Sequence, residues 1–278
     1  MPFRNAERHL PACLDALAAQ APFDGSYEII AADDGSTDGS AEIARRFDGV
    51  RLVRSEGRGA YAARNGALAA AQGDVFAFTD ADCAAEPDWL RTLVAELEDP
   101  QAEVVVGARP PGGTSSALSL VAAYEQTKDE FIFGSANPSL YYGSTNNMAV
   151  RREVIAAHGP FVERRRGSDT LFVRRVVDAL SCESVRYRPD ARVRHLEIQR
   201  VADYYRKLFV YSRSLRRLRD DARVRPLRTG QRLRLWRRAM RNRGASRAEA
   251  AALLAVLATG AIFWGLGRLS APAPLPQA

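Results

Sequence analysis

Two clusters of aspartates are the residues of this sequence best placed to do chemistry. Asp33 and Asp34 end one short apolar run, and Asp80 and Asp82 end another. If both runs are strands of one parallel sheet, their carboxyl ends meet at the crevice where such sheets bind ligands. Carboxylates held together there repel one another unless a cation lies among them. Their hard oxygen atoms favour Mg²⁺ or Mn²⁺, which would bridge a phosphorylated substrate.

The elements that must position these carboxylates alternate between helix and strand up to residue 108. Apolar runs between turn residues predict strands, and apolar residues at helical spacing predict helices. The predicted strands are 27–32, 50–53, 74–79 and 103–108, and the predicted helices are 6–19, 39–47, 60–72 and 87–98. This alternation predicts βαβ units and an α/β fold with a doubly wound, mostly parallel sheet.

The pattern is less regular from residue 109 to residue 219. The segment 134–147 is rich in glycine and asparagine, which predicts an irregular loop. The other predicted elements are helices 117–133, 152–157, 169–180 and 201–219, and strands 148–150 and 191–195. The last of these strands ends at His195.

Charge and composition divide the chain. The net charge is +7, but residues 201–247 carry +13 while residues 1–200 carry −6. The hydrophobic content of 46% predicts a sizeable core in the acidic part. The three cysteines are far apart and lack metal-type spacing, so a reducing compartment is expected and a zinc site is not. No secretory signal is expected at the N-terminus.

An uncharged segment of 18 residues, 250–267, follows the basic region. At about 1.5 Å per residue, such a helix would just cross the hydrocarbon core of a bilayer. The alternative is a helix that packs on the protein or lies in the membrane interface. A spanning helix with an arginine-rich flank would place the preceding domain in the cytoplasm. Nucleic-acid binding is the weaker interpretation of the basic region, and no nucleic acid is predicted as partner, because no recognised motif accompanies the charge.

A calcium-binding loop is the alternative interpretation of the segment that begins at Asp34. Asp34, Ser36 and Asp38 fit positions one, three and five of an EF-hand loop. Position twelve is Arg45, where that loop requires a bidentate glutamate, so the EF-hand is excluded. A helix-capping turn explains Ser36 and Asp38 but leaves Asp33 unexplained.

Several motifs in order make the chain resemble family 2 glycosyltransferases of the GT-A fold. They are LPACLD from Leu10, DDGSTDGS from Asp33, ARNG from Ala63, FTDAD from Phe78, GSTNNMAVRR from Gly143, GPF from Gly159 and GSDT from Gly167. The resemblance covers about residues 2–200. The Gln-x-x-Arg-Trp motif of processive polysaccharide synthases does not occur, so that subclass is not expected.

The resemblance implies roles for five residues. Asp33 matches the aspartate that hydrogen-bonds the nucleotide base, and Arg64 matches the arginine that helps to hold the nucleotide. Asp80 and Asp82 match the D-x-D pair, of which the second usually binds the metal and the first contacts ribose or metal. Asp169 matches the general base of inverting members, which removes the proton of an acceptor hydroxyl as that hydroxyl attacks C1.

His195 has two interpretations. In some GT-A enzymes a histidine at a comparable place completes the metal site, so the predicted ligands are Asp82, Asp80 and His195. A histidine that only makes a local hydrogen bond at a strand end is the alternative. The chain departs from the family at Ser168, where a glutamate is usual, and before Pro2, where a central strand is expected to be missing.

The predicted function is transfer of a sugar, of the hexosyltransferase type, from a nucleotide-diphospho-sugar to a saccharide or lipid-linked hydroxyl. The predicted regions are a GT-A domain at 1–200 (a donor half 1–108 and an acceptor half 109–200), a basic helical region 201–247, a candidate membrane helix 248–268 and a disordered tail 269–278. The predicted place is the cytoplasmic side of the cell membrane, in cell-envelope synthesis, with an anionic membrane surface as partner. A sugar nucleotidyltransferase and a catalytically inactive, membrane-associated GT-A-like binding protein are the alternatives.

Overall fold

In a computed structural model, the chain is described over residues 1–55, 57–164, 166–215 and 225–270. It forms two compact units. The first unit consists of residues 1–110 and 132–196, and the second of residues 111–131 with the described residues from 197 onward. Residues 111–131, expected in the acceptor half, are thus grouped with the C-terminal helices. The expected disordered tail lies almost entirely outside the described residues.

The order of elements follows the predicted alternation through the first half. The strands are β1 Pro2–Phe3, β2 Ile29–Asp33, β3 Val50–Arg54, β4 Val75–Thr79, β5 Cys83–Ala85, β6 Val104–Ala108, β7 Asn147–Arg151 and β8 Val185–His195. The helices are α1 Leu10–Ala18, α2 Ser40–Arg46, α3 Ala60–Ala70, α4 Trp89–Glu96, α5 Ser116–Phe133, α6 Arg152–His158, α7 Ser168–Ala179, α8 Val201–Leu215, α9 Thr229–Arg243 and α10 Arg247–Leu269. The segment 134–147 contains one short 3₁₀ turn, Pro138–Leu140.

The strands form two sheets, and together with the flanking helices they confirm the predicted α/β, GT-A-like fold. One sheet is parallel, with the order β1-β2-β3. The other has the order β4-β7-β6-β8-β5 and is mixed. The prediction of a mostly parallel sheet is wrong for this second sheet, because β7 inserts antiparallel between β4 and β6 and β5 pairs antiparallel with β8.

Strand β1 pairs with β2 over only two residues. Pro2 and Phe3 pair in parallel with Ala32 and Asp33 of β2. Phe3 is buried in a core cluster with Leu10 of α1 and the β2 residues around it. The short strand therefore holds the carboxyl end of β2, where the first acidic cluster lies.

The second unit is helical. Its core lies where α5, α9 and α10 meet. The buried members of this core are Leu120, Val121, Tyr124, Leu235, Ala239, Met240 and Leu253. By length and composition, helix α10 could cross a membrane, and 17% of its most apolar 18-residue stretch is buried.

Candidate active site

The first acidic cluster lies at the end of β2 and is built into the turn that follows. Asp33 is buried, and its Oδ1 accepts a hydrogen bond of 2.8 Å from the backbone N–H of Ser36. Asp34 is also buried, and its Oδ1 accepts from the N–H of Gly59 at 3.1 Å. Asp34 therefore connects this turn to the start of α3. The sequence alone did not distinguish this structural role of Asp34 from the role expected for Asp33.

Helix α3 directs Tyr61 and Arg64 to one side, as expected for residues three apart on a helix. Arg64 is 5% exposed and donates from Nη2 to Oδ1 of Asp80. Its guanidinium carbon lies 5.2 Å from the centre of the Tyr61 ring. Within the described residues, the buried Nε of Arg64 has no hydrogen-bond partner.

The second acidic cluster follows β4 and is brought to His195 by strand pairing. In the antiparallel pair of β5 and β8, Cys83 lies opposite His195. This register places Nδ1 of His195 3.4 Å from Oδ2 of Asp82 and 4.0 Å from Sγ of Cys83. The ligand atoms of the three residues all lie within 4.8 Å of one another.

The donor set at this point fits a divalent transition metal. The carboxylate suits Mn²⁺ and the imidazole suits first-row transition metals, whereas the thiol of Cys83 is a softer donor that the sequence reasoning did not anticipate. Asp80, also a predicted ligand, lies at the same strand end, but its Oδ1 accepts from Arg64. Among the described residues, the converging donors are Asp82, Cys83 and His195, without Asp80.

Asp169 lies in the first turn of α7, where the helix N-terminus favours negative charge. Its Oδ1 accepts from the N–H of Thr170 at 2.8 Å, and its Oδ2 from the N–H of Thr145 at 3.4 Å. The hydroxyl of Tyr61 also stabilises its charged form. Although the residue is half-buried by surface area, desolvation of its carboxyl group raises the pKa of Asp169, and these hydrogen bonds oppose the rise only in part.

Tyr61 remains a hydrogen-bond donor in this arrangement. Burial, then the charge of Asp169, raises the pKa of its hydroxyl above the ordinary value. Tyr61 thus contacts Asp169 through its hydroxyl and Arg64 through its ring. One helix, α3, links the carboxylate of Asp80 to that of Asp169.

Packed aromatic rings hold these elements in register. The ring of Phe161 lies 5.7 Å from Tyr61 of α3, 5.3 Å from Phe78 of β4 and 5.4 Å from Phe172 of α7. The side chain of Asn65 donates to the carbonyl of Phe161 at 2.7 Å and accepts from its N–H at 3.1 Å. Helix α3, strand β4 and helix α7, which carry or precede the candidate site residues, therefore share one aromatic cluster.

Two small residues border Asp169. A Cβ atom at Gly143 would overlap the backbone carbonyl of Asp169, so glycine permits the loop 134–147 to approach α7 closely. Ser168 is fully buried, and within the described residues its Oγ has no hydrogen-bond partner. At the position where the family resemblance leads one to expect a glutamate, the chain therefore has the short side chain of Ser168, whose hydroxyl is unsatisfied within the described residues, beside Asp169.

The fold and this constellation define a GT-A-like α/β domain with paired strand-end carboxylates. The sequence model of Glycosyl transferase family 2 matches residues 1–159. The match covers more than half of the chain, and the chain belongs to this family.

Curated relatives are similar over part of their length. The chain is 30% identical over 189 residues to glycosyltransferase AglE of Haloferax volcanii, a stretch of 64% of this chain and 60% of that protein. It is 27% identical over 161 residues to the putative glycosyltransferase EpsH of Bacillus subtilis, covering 55% and 46% of the two chains. The chain thus spans less than two thirds of the length of these relatives.

Solved structures share the fold at low sequence identity. Glucosyl-3-phosphoglycerate synthase from Mycobacterium tuberculosis, in complex with Mn²⁺, UDP-glucose and phosphoglyceric acid, has a TM-score of 0.52 and 23% identity over 70% of this chain and 69% of that one. TarS of S. aureus has a TM-score of 0.54 and 18% identity over 89% of this chain and 43% of that one. These similarities support the fold.

Proposed function

We propose that the protein transfers a sugar from a nucleotide-diphospho-sugar to a hydroxyl group of a saccharide or lipid-linked acceptor. The observation that carries the proposal is the link through α3. Arg64 is bonded to Asp80 of the donor-side cluster, and the hydroxyl of Tyr61 on the same helix stabilises the charged form of Asp169 and so opposes the rise of its pKa. Residues of one helix, α3, thereby act on both the donor-side cluster and a base of raised pKa.

The donor would be held by residues at the strand ends. Asp33 would accept from the nucleotide base, Asp80 would contact the ribose, and Arg64 would help to hold the nucleotide. Asp82 and His195 would hold Mn²⁺ or Mg²⁺, with Cys83 beside them. When bound, such an ion neutralises charge that develops on the departing diphosphate.

Asp169 would act on the acceptor. Its carboxylate takes the proton of the acceptor hydroxyl, the hydroxyl oxygen forms a bond to C1, and the bond between C1 and the diphosphate breaks. The nucleoside diphosphate leaves with the electron pair, and the configuration at C1 inverts. The raised pKa of Asp169 supports this role, because a base works best when its pKa lies near the working pH.

The second unit supports a place at the membrane. Its sequence carries the basic region, and α10 is apolar and largely exposed. Basic segments bind the anionic cytoplasmic leaflet. A lipid-linked acceptor would be presented at that surface, in keeping with a role in cell-envelope synthesis.

Donor binding tests the proposal before any acceptor is known. A panel of nucleotide-sugars, with UDP-glucose included, is added to the full chain with and without Mn²⁺, and the unfolding midpoint is measured. The matching donor at 100 times its Kd is expected to raise the midpoint by about 5–10 °C, and only with the metal. Release of nucleoside diphosphate supports the glycosyltransferase, whereas pyrophosphate release would indicate a nucleotidyltransferase. Binding without turnover would indicate an inactive binding protein.

Replacing Tyr61 with phenylalanine tests the link between α3 and the base. The Tyr61 hydroxyl stabilises the charged form of Asp169, so removing this hydroxyl raises the pKa of Asp169 further. The acid limb of the kcat/KM profile is expected to move to higher pH, with the largest loss of rate at low pH. An equal loss at every pH would contradict this role and indicate damage to packing instead. Tyr27→Phe, at an exposed tyrosine outside the site, is the matched control.

A further inference from the structure

Helix α10 exposes an apolar stripe along its whole length. The stripe follows helical spacing, and its large members are Leu254 (47% exposed), Ile262 (62%), Leu266 (49%) and Leu269 (78%). The small exposed residue Ala258 lies between Leu254 and Ile262, and Ala251 continues the stripe toward the N-terminus. A helix of 23 residues is about 35 Å long at 1.5 Å per residue. Continuous apolar surface of this length marks an interaction site rather than scattered surface residues.

The opposite face of α10 is fixed to α8 by two glycines. A Cβ atom at Gly260 would come within 2.9 Å of Leu208, and one at Gly267 would overlap Ser212 and the carbonyl of Phe209. Aromatic contacts flank this seam, with the rings of Tyr205 and Phe263 stacked at 5.2 Å. The backbones of α8 and α10 therefore lie side by side through the second half of α10.

The first half of α10 packs against α9 through a buried leucine and a hydrogen bond. Leu253 is fully buried against a core that includes Leu235 and Met240 of α9. The indole N–H of Trp236 also donates to the carbonyl of Ala250 at 3.2 Å. Both halves of α10 are thus packed against neighbouring helices on one side, and the rest of the helix, which includes the stripe, is exposed.

The helices fixed to α10 are strongly basic. On α8, Arg206 and Arg213 are exposed, and Lys207 pairs with Glu197 at 3.1 Å. On α9 the exposed arginines are Arg232, Arg234, Arg237, Arg238, Arg241 and Arg243. If α10 crossed a bilayer, these packed neighbours would carry their charges into the hydrocarbon, where charged side chains are costly. At the interface the same charges would face anionic headgroups.

We infer that α10 lies in one leaflet of an anionic bilayer as a monotopic element and does not span it. The stripe enters the acyl region, and the arginines of α8 and α9 bind the headgroups around it. The inference rests on the membrane docking proposed above and specifies that docking as insertion of α10 into one leaflet. The exposed stripe and the charge next to it together favour a lipid surface over a second copy of the chain.

Binding to vesicles tests the stripe. The full chain is sedimented with sealed vesicles of phosphatidylcholine containing about a third phosphatidylglycerol. Ile262→Glu with Leu266→Glu is expected to lower the bound fraction at least about tenfold, because two charges would enter the apolar layer. Val162→Glu, at a residue 46% exposed in the first unit, is the matched control and should bind as the unaltered chain does. Unchanged binding of the double variant would overturn the inference.

Labelling from one side distinguishes a monotopic helix from a spanning one. Asn242→Cys and Ser270→Cys, made separately in a Cys182→Ser background, place thiols before and after α10. With protein added outside sealed vesicles, a membrane-impermeant maleimide is expected to label both. Protection of either thiol until the vesicles are opened with detergent would establish a span and overturn the inference.

Two further measurements separate the possible failures. Without vesicles, a dimer that the double variant dissociates would show that the stripe binds a second copy, which also overturns the inference. Donor turnover without vesicles should be equal in the double variant and the unaltered chain. A chain that consumes donor but ignores vesicles refutes only the membrane mode, and one that binds vesicles without turnover refutes only the proposed activity.

Discussion

Replacing Asp169 with asparagine is expected to lower the rate of sugar transfer by roughly 10²–10⁴-fold, the usual contribution of a general base. Asparagine keeps the size of the side chain but cannot take a proton from the acceptor. Donor binding should persist, because Asp33, Arg64 and Asp82 are unchanged. The measurements are the rate of nucleoside diphosphate release and the shift of the unfolding midpoint by donor with Mn²⁺.

The control for this prediction lies on the same helix. Asp178→Asn changes an exposed aspartate near the end of α7 and should leave the rate within about twofold, as for surface substitutions away from special features. If Asp169→Asn kept full activity, another group would be the base. If it lost donor protection as well, Asp169 would be part of the donor site, and the proposed division of roles would be wrong.

The first half of the fold could be predicted from the sequence because its elements are local and periodic. The apolar runs before Asp33 and Asp80 are bounded by turn residues, and the strands begin and end within two residues of the predicted bounds. Helix α3, predicted at 60–72, extends over Ala60–Ala70. Both acidic clusters therefore could be placed at strand ends before any tertiary contact was known.

The pairing order of the second sheet could not be predicted, although β4, β6, β7 and the end of β8 were expected as strands, because that order depends on partners distant in sequence. Residues 185–190 of β8 were not expected as a strand, because the alternation of Val185 and Tyr187 with arginines is short and ends at Pro189. Strand β5 has only three residues and directly follows the second acidic cluster. The antiparallel insertion of β7 likewise follows from long-range pairing and not from any local pattern.

In the candidate site, too, residues in local motifs could be predicted, whereas residues whose relevance depends on tertiary contacts could not. The aspartates, Arg64 and His195 could be selected from motif positions, and their individual roles stay predictions. Tyr61 was missed because it is part of an alanine-rich helix, and Cys83 because the three cysteines are far apart and lack metal-type spacing. Their relevance arises from the packing of α3 near α7 and from the pairing of Cys83 with His195.

Replacing Asp82 with asparagine is expected to lower turnover by about 10²-fold or more, the usual cost of removing a group that stabilises developing charge. Asp82 is the carboxylate that lies 3.4 Å from His195 and converges with it and Cys83. An amide binds a divalent ion more weakly than a carboxylate, so more Mn²⁺ should be needed for the same donor protection. The measurement is a Mn²⁺ titration of the unfolding midpoint at a fixed donor concentration.

The strand itself supplies the control for the Asp82 prediction. Asp74→Asn changes an exposed aspartate just before β4, at the end of the strand opposite the site, and should leave the Mn²⁺ titration unchanged. His195→Gln is expected to shift the titration in the same direction as Asp82→Asn, because both donors belong to one group. If Asp82→Asn lost turnover while its Mn²⁺ titration stayed where it was, Asp82 would serve the reaction without holding the metal. The ion would then be held by His195 and Cys83 or by Oδ2 of Asp80, whose Oδ1 accepts from Arg64.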